Sequence, residues 1–510
     1  MIISLSVLVI TIIVSGTYAL YKAQLSKNIG VNTTTHGLAY YINYVKGTDI
    51  TAATLNPSTS YEGGASSDIE FWKKDDSYDI YGKIELTVNT IGTNLSNSPA
   101  LKYAVVNNGN VLKEGSLKGT TSGSKVTILK NLYLEQTKQI YTVYVWLDNS
   151  EELGNISNES LSISVDCTAS LQKEPTAADT IISLYTSAAK VTATNNSITY
   201  NTAPSVSLMN DRLGGTTTSL DGGNIRYYGA SPNNYIYFNC SDYSNQTSST
   251  CETWRIIGVF DGKLKLIRGS QIGKYSWDNK NTSTGAENNY GKNDWTTARL
   301  MKLLNPDDYY INDNNDKDSE GNYLGYSLYY NSASGMCFTD EGVNYSACDF
   351  TSTGIKNDET RNMIAETTYN LGGWNDTGVY PNEIYEYERG TTVYTGRPTT
   401  WTGKIALAYP SDYGYAADLN QCKQTLANYD NSTCTSNNWM KAIITDNGSN
   451  HGWLLTPDSS YSYVAWYSQG NVGEYFTGAA RGAVPVLSLS SKLGIESGDG
   501  SSSNPYKLSA

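Results

Sequence analysis

The chain has 510 residues, a formal net charge of −13 and 39% apolar residues, so it is long enough for two folded units and apolar enough to give each a core. Its 42 Tyr against 6 Phe, together with 45 Gly and abundant Asn, Ser and Thr, are typical of β-rich proteins with hydrated surfaces. Nucleic acid is excluded as a partner, because phosphate binding needs clustered Lys and Arg and the sequence has no such cluster.

An uncharged apolar run, IISLSVLVITIIVSGTYAL, occupies residues 2–20. It is long enough to cross a bilayer once, and its small-residue end is typical of a signal-peptidase site, although no Lys or Arg precedes it. Residues 1–20 are therefore predicted to be a signal segment or a membrane anchor. A buried helix is the alternative interpretation.

Alternating apolar residues mark a series of strands over residues 30–168, as in Tyr141, Val143 and Val145. This period of two, with polar residues between, indicates half-buried antiparallel strands. Short turns rich in Gly, Asn and Ser separate the strands. The predicted fold of this region is an antiparallel β-sandwich.

Residues 169–204 have a different, more polar composition. Within them Thr176 and Asp179 have the spacing of a capping box, and Ile181 and Tyr185 fall on one helical face. The sequence predicts a connector that contains a short helix.

The remaining residues, 205–510, combine few helices with many short strands and are predicted to form an α+β domain. Asp261 and Gly262 separate WRIIGVF from KLKLIR and predict a two-residue hairpin turn. A helix is predicted over 358–371, ending before two glycines, and Asp412 is predicted to cap a helix rather than to act as a catalytic acid.

The cysteines point to an oxidising compartment. Six of the seven form three pairs that are close in sequence, and none of the pairs has the CxxC spacing of a zinc site. Zinc is the disfavoured alternative. The predicted disulfides are Cys240–Cys251, Cys337–Cys348 and Cys422–Cys434, with Cys167 free.

Several stretches carry resemblances to protein families of Bacillota. SGTYAL, ALKYAVVNNGNVLKEG, YTVYVWLDNS and LSISVDC, within residues 1–168, resemble the TasA/camelysin-like β-sandwich proteins of cell-surface and biofilm fibres. GGNIRYYGASPNNYIYFN, KIALAYPSDYGYA, GWLLTP and GAARGAVPVLSLSS, within residues 205–510, resemble an uncharacterised surface domain. That domain looks related to the C-type-lectin-like and formylglycine-generating-enzyme-like fold. The resemblance implies an exported module that displays ligand-binding loops, and it implies no activity.

Residues able to perform catalysis are few. The sequence has two His, and His451 has no GxSxG motif beside it, so a structural role is favoured for it. Glu386 and Glu388 could supply the two carboxyl groups of a glycosidase, which keeps a carbohydrate-active enzyme as the alternative function.

Two loops suggest binding without catalysis. DNNDKDSEG places Asp316, Asp318 and Glu320 as candidate calcium ligands, although the Glu expected at the end of an EF-hand loop is Ser327. Candidate sugar-binding residues echo the calcium-dependent motifs of C-type lectins, in reversed order: Trp374, Asn375, Asp376 and Glu383.

The combined prediction is a non-catalytic protein, secreted or on the cell surface, for adhesion, ligand display or assembly of a fibre or matrix. Its predicted partners are a glycan or a cell-surface protein, further copies of itself, and a membrane through residues 1–20 if they are retained. No cofactor is required, and calcium is the candidate ion.

Overall fold

The computed structural model describes residues 23–24, 41–51, 55–151, 153–156, 158–212, 223–279, 290–312, 317, 321, 323–339 and 345–509. The chain divides into two compact units, Met1–Glu174 (unit 1) and Pro175–Ala510 (unit 2). Most strand pairs are antiparallel, and the predicted β-rich fold is confirmed. No helix within the described residues is long and apolar enough to span a membrane. The predicted signal or anchor, residues 1–20, lies outside them.

Within its described residues, unit 1 consists mainly of strands, with one short α-helix, α1 (Thr93–Asn97). Its strands in chain order are β1 (Ala23–Gln24), β2 (Ile42–Val45), β3 (Ile50–Thr51), β4 (Pro57–Ser58), β5 (Ala65–Lys73), β6 (Tyr81–Ile91), β7 (Leu101–Asn107), β8 (Asn110–Ser116), β9 (Lys125–Tyr133), β10 (Ile140–Asp148) and β11 (Leu161–Ser170). One sheet has the order β1-β11-β6-β9, with β3 also paired to β11. The other has the order β2-β5-β10-β7-β8, with β4 parallel to β10.

The two sheets of unit 1 share one core. On β10, Tyr141, Val143 and Val145 are buried, whereas the residues between them are half-buried, as the alternation predicts. These side chains belong to one apolar cluster with Ile84 of β6 and Val165 of β11, which lie in the other sheet.

Unit 2 has many short strands and seven short helices within its described residues. The helices are α2 (Ala177–Ser187), α3 (Arg299–Leu304), α4 (Asp358–Met363), α5 (Pro381–Glu388), α6 (Pro410–Tyr415), α7 (Ser432–Ser436) and α8 (Lys441–Ile444). The strands are β12 (Val191–Asn195), β13 (Ile198–Ala203), β14 (Leu208–Asn210), β15 (Ile225–Tyr227), β16 (Tyr235–Phe238), β17 (Glu252–Phe260), β18 (Lys263–Arg268), β19 (Lys274–Tyr275), β20 (Ser334–Phe338), β21 (Tyr345–Asp349), β22 (Thr367–Asn370), β23 (Thr400–Gly403), β24 (Ile405–Ala406), β25 (Gly452–Pro457), β26 (Val464–Ser468), β27 (Val472–Phe476), β28 (Arg481–Gly482), β29 (Val486–Ser488), β30 (Gly494–Ser497) and β31 (Lys507–Ser509).

A nine-stranded sheet organises unit 2. Its order is β12-β13-β14-β15-β17-β18-β29-β24, with β16 also paired to β17. A second, five-stranded sheet has the order β19-β28-β25-β26-β27, and β20-β21, β22-β23 and β30-β31 form two-stranded sheets. Both faces of β17 are covered, because Trp254 and Ile256 belong to the largest apolar cluster while Ile257 belongs to another.

The hairpin between β17 and β18 turns where the sequence predicts. Asp261 has φ 49° and Gly262 has φ 70°, so both central residues of the turn have positive φ. A two-residue turn of this kind matches the twist of the strands it joins.

The short helix predicted in residues 169–204 forms, with its predicted capping box. The Thr176 hydroxyl accepts a hydrogen bond from the Asp179 N–H (3.1 Å), and the Asp179 carboxylate accepts one from the Thr176 N–H (2.9 Å). Ile181 and Tyr185 join the largest core cluster of unit 2, and β12 and β13 form an edge of its main sheet. Residues 175–204 are therefore part of unit 2, whereas the sequence predicted a connector.

The helix predicted over 358–371 is wrong in length. It ends at Met363, and residues 367–370 form β22 instead, paired with β23. Two adjacent β-branched threonines, Thr367 and Thr368, favour the strand.

All three predicted disulfides, Cys240–Cys251, Cys337–Cys348 and Cys422–Cys434, are present. Cys167 is free and buried in the core of unit 1. Each bridge closes a short loop, of 11 or 12 residues in sequence separation.

Candidate functional site

Three of the predicted sugar-binding residues lie together in the loop before α5. Trp374 is half-buried, and its ring stacks on Tyr387 with the centroids 3.8 Å apart. Asn375 and Asp376 are exposed. Asn375 donates a hydrogen bond to the Ser460 hydroxyl (2.8 Å), which connects this loop to the turn that follows β25.

The fourth predicted residue, Glu383, has a different role. Its carboxylate accepts a hydrogen bond from the Tyr380 N–H (2.8 Å) at the start of α5 and another from the Asn196 amide (3.2 Å). A carboxylate in the first turn of a helix stabilises the unpaired N–H groups there. Glu383 therefore acts as a helix cap in this structure.

The structure adds two carboxyl groups that the sequence did not single out. Asp458 is fully buried, and one of its oxygens accepts hydrogen bonds from the N–H groups of Ser460 (2.5 Å) and Tyr461 (2.7 Å). Glu474 lies on β27 opposite Trp466 of β26 and is half-buried. We call Asp376, Asp458 and Glu474 the acidic cluster.

Asp458 and Glu474 are close enough to form a hydrogen bond with each other. Burial raises the pKa of Asp458. Burial, then the charge of Asp458 and its hydrogen bond, then the charge of Asp376 raise the pKa of Glu474 to about 7. Among the described residues, no N–H or O–H group outside this pair donates to the buried oxygens Asp458 Oδ2 and Glu474 Oε1. A carboxyl pair in this arrangement holds one proton between its members near neutral pH.

Hydrogen bonds from the side chains of Asn293 and Arg397 fix the turn over residues 458–463. The buried Asn293 amide donates hydrogen bonds to the carbonyl oxygens of Asp458 (2.8 Å), Tyr461 (2.8 Å) and Val464 (3.1 Å). Arg397 in turn donates to the Asn293 side-chain oxygen (3.1 Å) and to the Ser462 carbonyl (3.1 Å).

This turn presents an aromatic surface beside the acidic cluster. Tyr461 is 54% exposed and contacts Tyr463 with ring centroids 6.0 Å apart. Tyr463 contacts Tyr290 (5.5 Å), and Tyr290 stacks on Phe476 (4.2 Å). An exposed aromatic ring next to hydrogen-bond acceptors suits the apolar face and the hydroxyl groups of a sugar.

The glutamates considered for a glycosidase do not form a pair. Glu386 is exposed, whereas Glu388 is fully buried, because residues two apart on a helix lie on different faces. Glu388 accepts hydrogen bonds from the Ser411 N–H (2.9 Å) and hydroxyl (2.5 Å) and forms an ion pair with Arg389 (3.1 Å). Its oxygens are therefore committed to the interior.

Asp412 belongs to a buried charge network. One of its oxygens accepts from Arg226 (2.9 Å), and the other contacts Lys265 and accepts from the Tyr409 N–H (3.1 Å). Burial alone would raise the pKa of Asp412, but Lys265 and Arg226 hold it below its usual value. The carboxylate caps α6 through the Tyr409 N–H, and the prediction of a capping role is confirmed.

His451 contacts a guanidinium rather than a nucleophile. Its Nδ1 lies within hydrogen-bond distance of Arg481, and its ring stacks near Tyr467. Burial and the positive charges of Arg481 and Lys274 lower the pKa of His451. These contacts favour a structural role for the His451 imidazole.

Metal ligands were predicted at Asp316, Asp318 and Glu320, which lie outside the described residues. Within the described residues, no group of three or more His, Cys, Asp or Glu side chains is arranged to hold a metal ion.

The sequence missed Asp458 and Glu474 because they are 16 positions apart and belong to different elements. A local signal did exist for one of them, since PDSS at residues 457–460 is typical of a turn in which Asp binds backbone N–H groups. Nothing local connects Glu474 with that turn. Their contact depends on the pairing of β26 with both β25 and β27.

No model of a known protein family matches the chain, and no curated protein matches it. Among solved structures, a crystal structure of an HCR/D mutant is similar at 13% identity, covering 50% of this chain and 75% of that chain, with a TM-score of 0.15. A likeness at that TM-score carries no argument about fold or function. Any functional interpretation therefore depends on the geometry of this chain.

Proposed function

We propose that the protein is a non-catalytic, exported protein that binds a glycan through Tyr461 and through Asp376, the exposed member of the acidic cluster. In this proposal unit 1 is a β-sandwich similar to the TasA/camelysin-like proteins, and unit 2 is a C-type-lectin-like display domain. Two sheets around one core support the first assignment. Three disulfides support export, because such bonds persist in oxidising compartments.

One observation carries the binding site: an exposed tyrosine stands on a rigid turn beside carboxyl groups that no Lys or Arg of the described residues neutralises. The exposed Asp376 carboxylate can accept hydrogen bonds from sugar hydroxyl groups, and the Tyr461 ring offers a surface for the apolar face of the sugar. Because a fixed turn loses little conformational freedom on binding, its contacts contribute more fully to affinity.

The same geometry supports binding over hydrolysis. A glycosidase places its two carboxyl groups roughly 5–9.5 Å apart, on either side of the glycosidic bond that it cleaves. Asp458 and Glu474 instead contact each other, which leaves no space for a glycosidic bond. Glu386 is exposed and Glu388 is buried, so this pair does not suit a carbohydrate-active enzyme either.

The wider role follows from export and display. Residues 1–20 would direct or anchor the chain, unit 2 would present the glycan site, and unit 1 would serve adhesion or self-assembly into a fibre or matrix. The proposed calcium ligands are still Asp316, Asp318 and Glu320.

A glycan array probed with the full chain tests this proposal. We expect retention on a subset of glycans, and we expect Tyr461→Ala to weaken it by roughly twofold to tenfold because one stacking contact is lost. Asp376→Asn removes a charge from the acidic cluster and should also weaken retention. Repeating the array with calcium and with a chelator reports on the proposed calcium ligands.

Tyr345→Ala is the matched control, because Tyr345 is a comparably exposed tyrosine (45%) on β21. It should bind like the wild type. The proposal is wrong if the wild type binds no glycan, or if Tyr461→Ala and Tyr345→Ala behave alike.

A further inference from the structure

A cleft lies in unit 2, at the open end of the β17–β18 hairpin. It has a volume of about 460 Å³, and strands β16, β17 and β18 supply most of its wall. That volume is within the range of small-molecule sites in proteins. The polar residues that line it include Tyr235, Glu252, Thr253, Arg255, Arg268 and Ser270.

Two charged side chains in the cleft, Glu252 and Arg268, neutralise each other's charge. Glu252 accepts two hydrogen bonds from Arg268, at 3.0 Å and 3.1 Å, in the two-pronged geometry that guanidinium and carboxylate favour. It also accepts one from the Trp254 indole (3.0 Å). Arg268 donates its remaining hydrogen bonds to Ser270 and Gln271. Glu252 is therefore not available to a second cation.

The second arginine of the cleft has no carboxylate partner among the described residues. Arg255 is only 7% exposed, and it donates hydrogen bonds to the Asn234 side chain (2.5 Å) and the Pro232 carbonyl (3.3 Å), both of which are neutral. Its guanidinium lies 3.7 Å from the centroid of the Tyr235 ring and 4.9 Å from that of Trp439.

A buried and unneutralised charge is unfavourable, because desolvation is not offset by an ion pair. Burial accordingly lowers the pKa of Arg255 to about 10. The aromatic rings offset part of this cost and fix the plane of the guanidinium. With Arg268 and Glu252 paired, the ionised side chains lining the cleft carry one net positive charge, in a protein whose net charge is −13.

We propose that this cleft binds a small monocarboxylate, whose carboxylate pairs with Arg255. A planar guanidinium held in one orientation matches a planar carboxylate. The single uncompensated charge favours a monoanion, since no further uncompensated cation among the residues that line the cleft would balance the second charge of a phosphate dianion. The hydroxyl groups of Thr253 and Ser270 at the exposed rim can bind polar substituents such as those of a sugar acid.

This site is separate from the acidic cluster and has the opposite charge, so the two sites select different ligands. A glycan that carries carboxylates would be repelled at the acidic cluster and attracted here. The proposed carboxylate site does not depend on the proposed glycan site, and each can be tested without the other.

The test is the thermal stability of the full chain at constant ionic strength with glucuronate, with glucose and with inorganic phosphate. We expect glucuronate to raise the Tm in a concentration-dependent way and glucose not to, because only a ligand that binds the folded state stabilises it. Calorimetric titration then measures the affinity. Equal stabilisation by phosphate and glucuronate would overturn the selectivity for a carboxylate, and no stabilisation by glucuronate would overturn the site.

Two pairs of variants locate the effect. Arg255→Gln should lower glucuronate affinity at least tenfold, whereas Arg481→Gln should not. Arg481 is a matched control because it is similarly buried (8% exposed), stacks on tyrosines and has no carboxylate partner among the described residues, but lies outside the cleft.

The second pair of variants keeps the buried charge of Arg255 and changes Thr253 instead. Thr253 is exposed and lies two residues before Arg255 on β17, so both side chains are on one face of the strand. Thr253→Glu supplies an internal carboxylate and should abolish the response to glucuronate, while Thr253→Gln, of the same shape, should retain it. Equal responses from these two variants would contradict the proposal.

Discussion

Buried charges in unit 2 are of two kinds, compensated and uncompensated. Arg226 and Lys265 are each at least 93% buried in their side chains and are balanced by Asp211 and Asp412 in a network of two positive and two negative groups. Such a network contributes little net stability, but the loss of one member leaves a buried charge unpaired. Arg255 departs from this pattern and also lines a cleft, and these two features together are why the cleft is interpreted as a binding site.

Glu388 gives a prediction about pH. Burial raises the pKa of Glu388 from its usual value of 4.5 to about 7, although Arg389 and Ser411 oppose the shift. A carboxyl group whose pKa is higher in the folded state stabilises the fold fully below the unfolded value, and this contribution is lost as the pH rises from about 4.5 to about 7. Glu388→Gln is neutral throughout and should remove that part of the pH dependence.

The measurement is the free energy of unfolding of the wild type and of Glu388→Gln between pH 4.5 and pH 8. Relative to the variant, the wild type should become less stable as the pH rises through this window. Glu386→Gln is the control, since Glu386 lies on the same helix but is exposed, and its curve should run parallel to that of the wild type. Parallel curves for Glu388→Gln would contradict the prediction.

Among the elements, helix α2 shows how a local signal determines a structure. The capping box of Thr176 and Asp179 satisfies N–H groups at the start of the helix. Thr176→Ala should therefore destabilise unit 2 by about 1 kcal/mol, while Thr176→Ser, which keeps the hydroxyl group, should cost much less. Denaturant unfolding followed by circular dichroism measures both. Equal losses for the two variants would show that the hydroxyl group does not stabilise the helix.

Local signals of this kind account for the elements that the sequence predicts correctly. The capping box, the Asp261–Gly262 turn and the pairing of nearby cysteines each depend on residues within about a dozen positions of one another. The end of α4 is different, because Thr367 and Thr368 form a strand only through pairing with β23, more than 30 positions away. Helical spacing alone does not reveal that partner.

The same distinction applies to the candidate sites. The sequence indicates Trp374, Asn375 and Asp376 because they are consecutive, whereas Asp458 and Glu474 meet only through the pairing of β26 with both β25 and β27. No pattern in the sequence indicates the cleft at Arg255. What distinguishes Arg255 is that it lacks a carboxylate partner among the described residues and also lines a cleft, and both facts depend on the pairing of Glu252 with Arg268 and on the folded structure.

At the scale of the whole molecule, the boundary between the two units decides which fragments can fold. The sequence places the start of the second domain near residue 205, whereas the structure places the start of unit 2 at Pro175. The 30 residues between these positions contain α2, β12 and β13. Ile181, Tyr185 and Tyr200 from this segment are at least 97% buried in unit 2.

Removing this segment should therefore unfold unit 2. Loss of one large buried side chain costs about 2–5 kcal/mol, so the loss of three approaches or exceeds the roughly 5–15 kcal/mol that stabilises a typical domain. We expect the fragments 1–174 and 175–510 each to unfold in a single cooperative transition in scanning calorimetry, and we expect 205–510 to show none. Fragment 175–510 is the matched control for 205–510, because the two contain the same three disulfides and differ only in the segment under test. If 205–510 unfolded at the same temperature and with the same enthalpy as 175–510, residues 175–204 would be a connector after all, and the packing of Ile181 and Tyr185 would contribute nothing to the stability of unit 2.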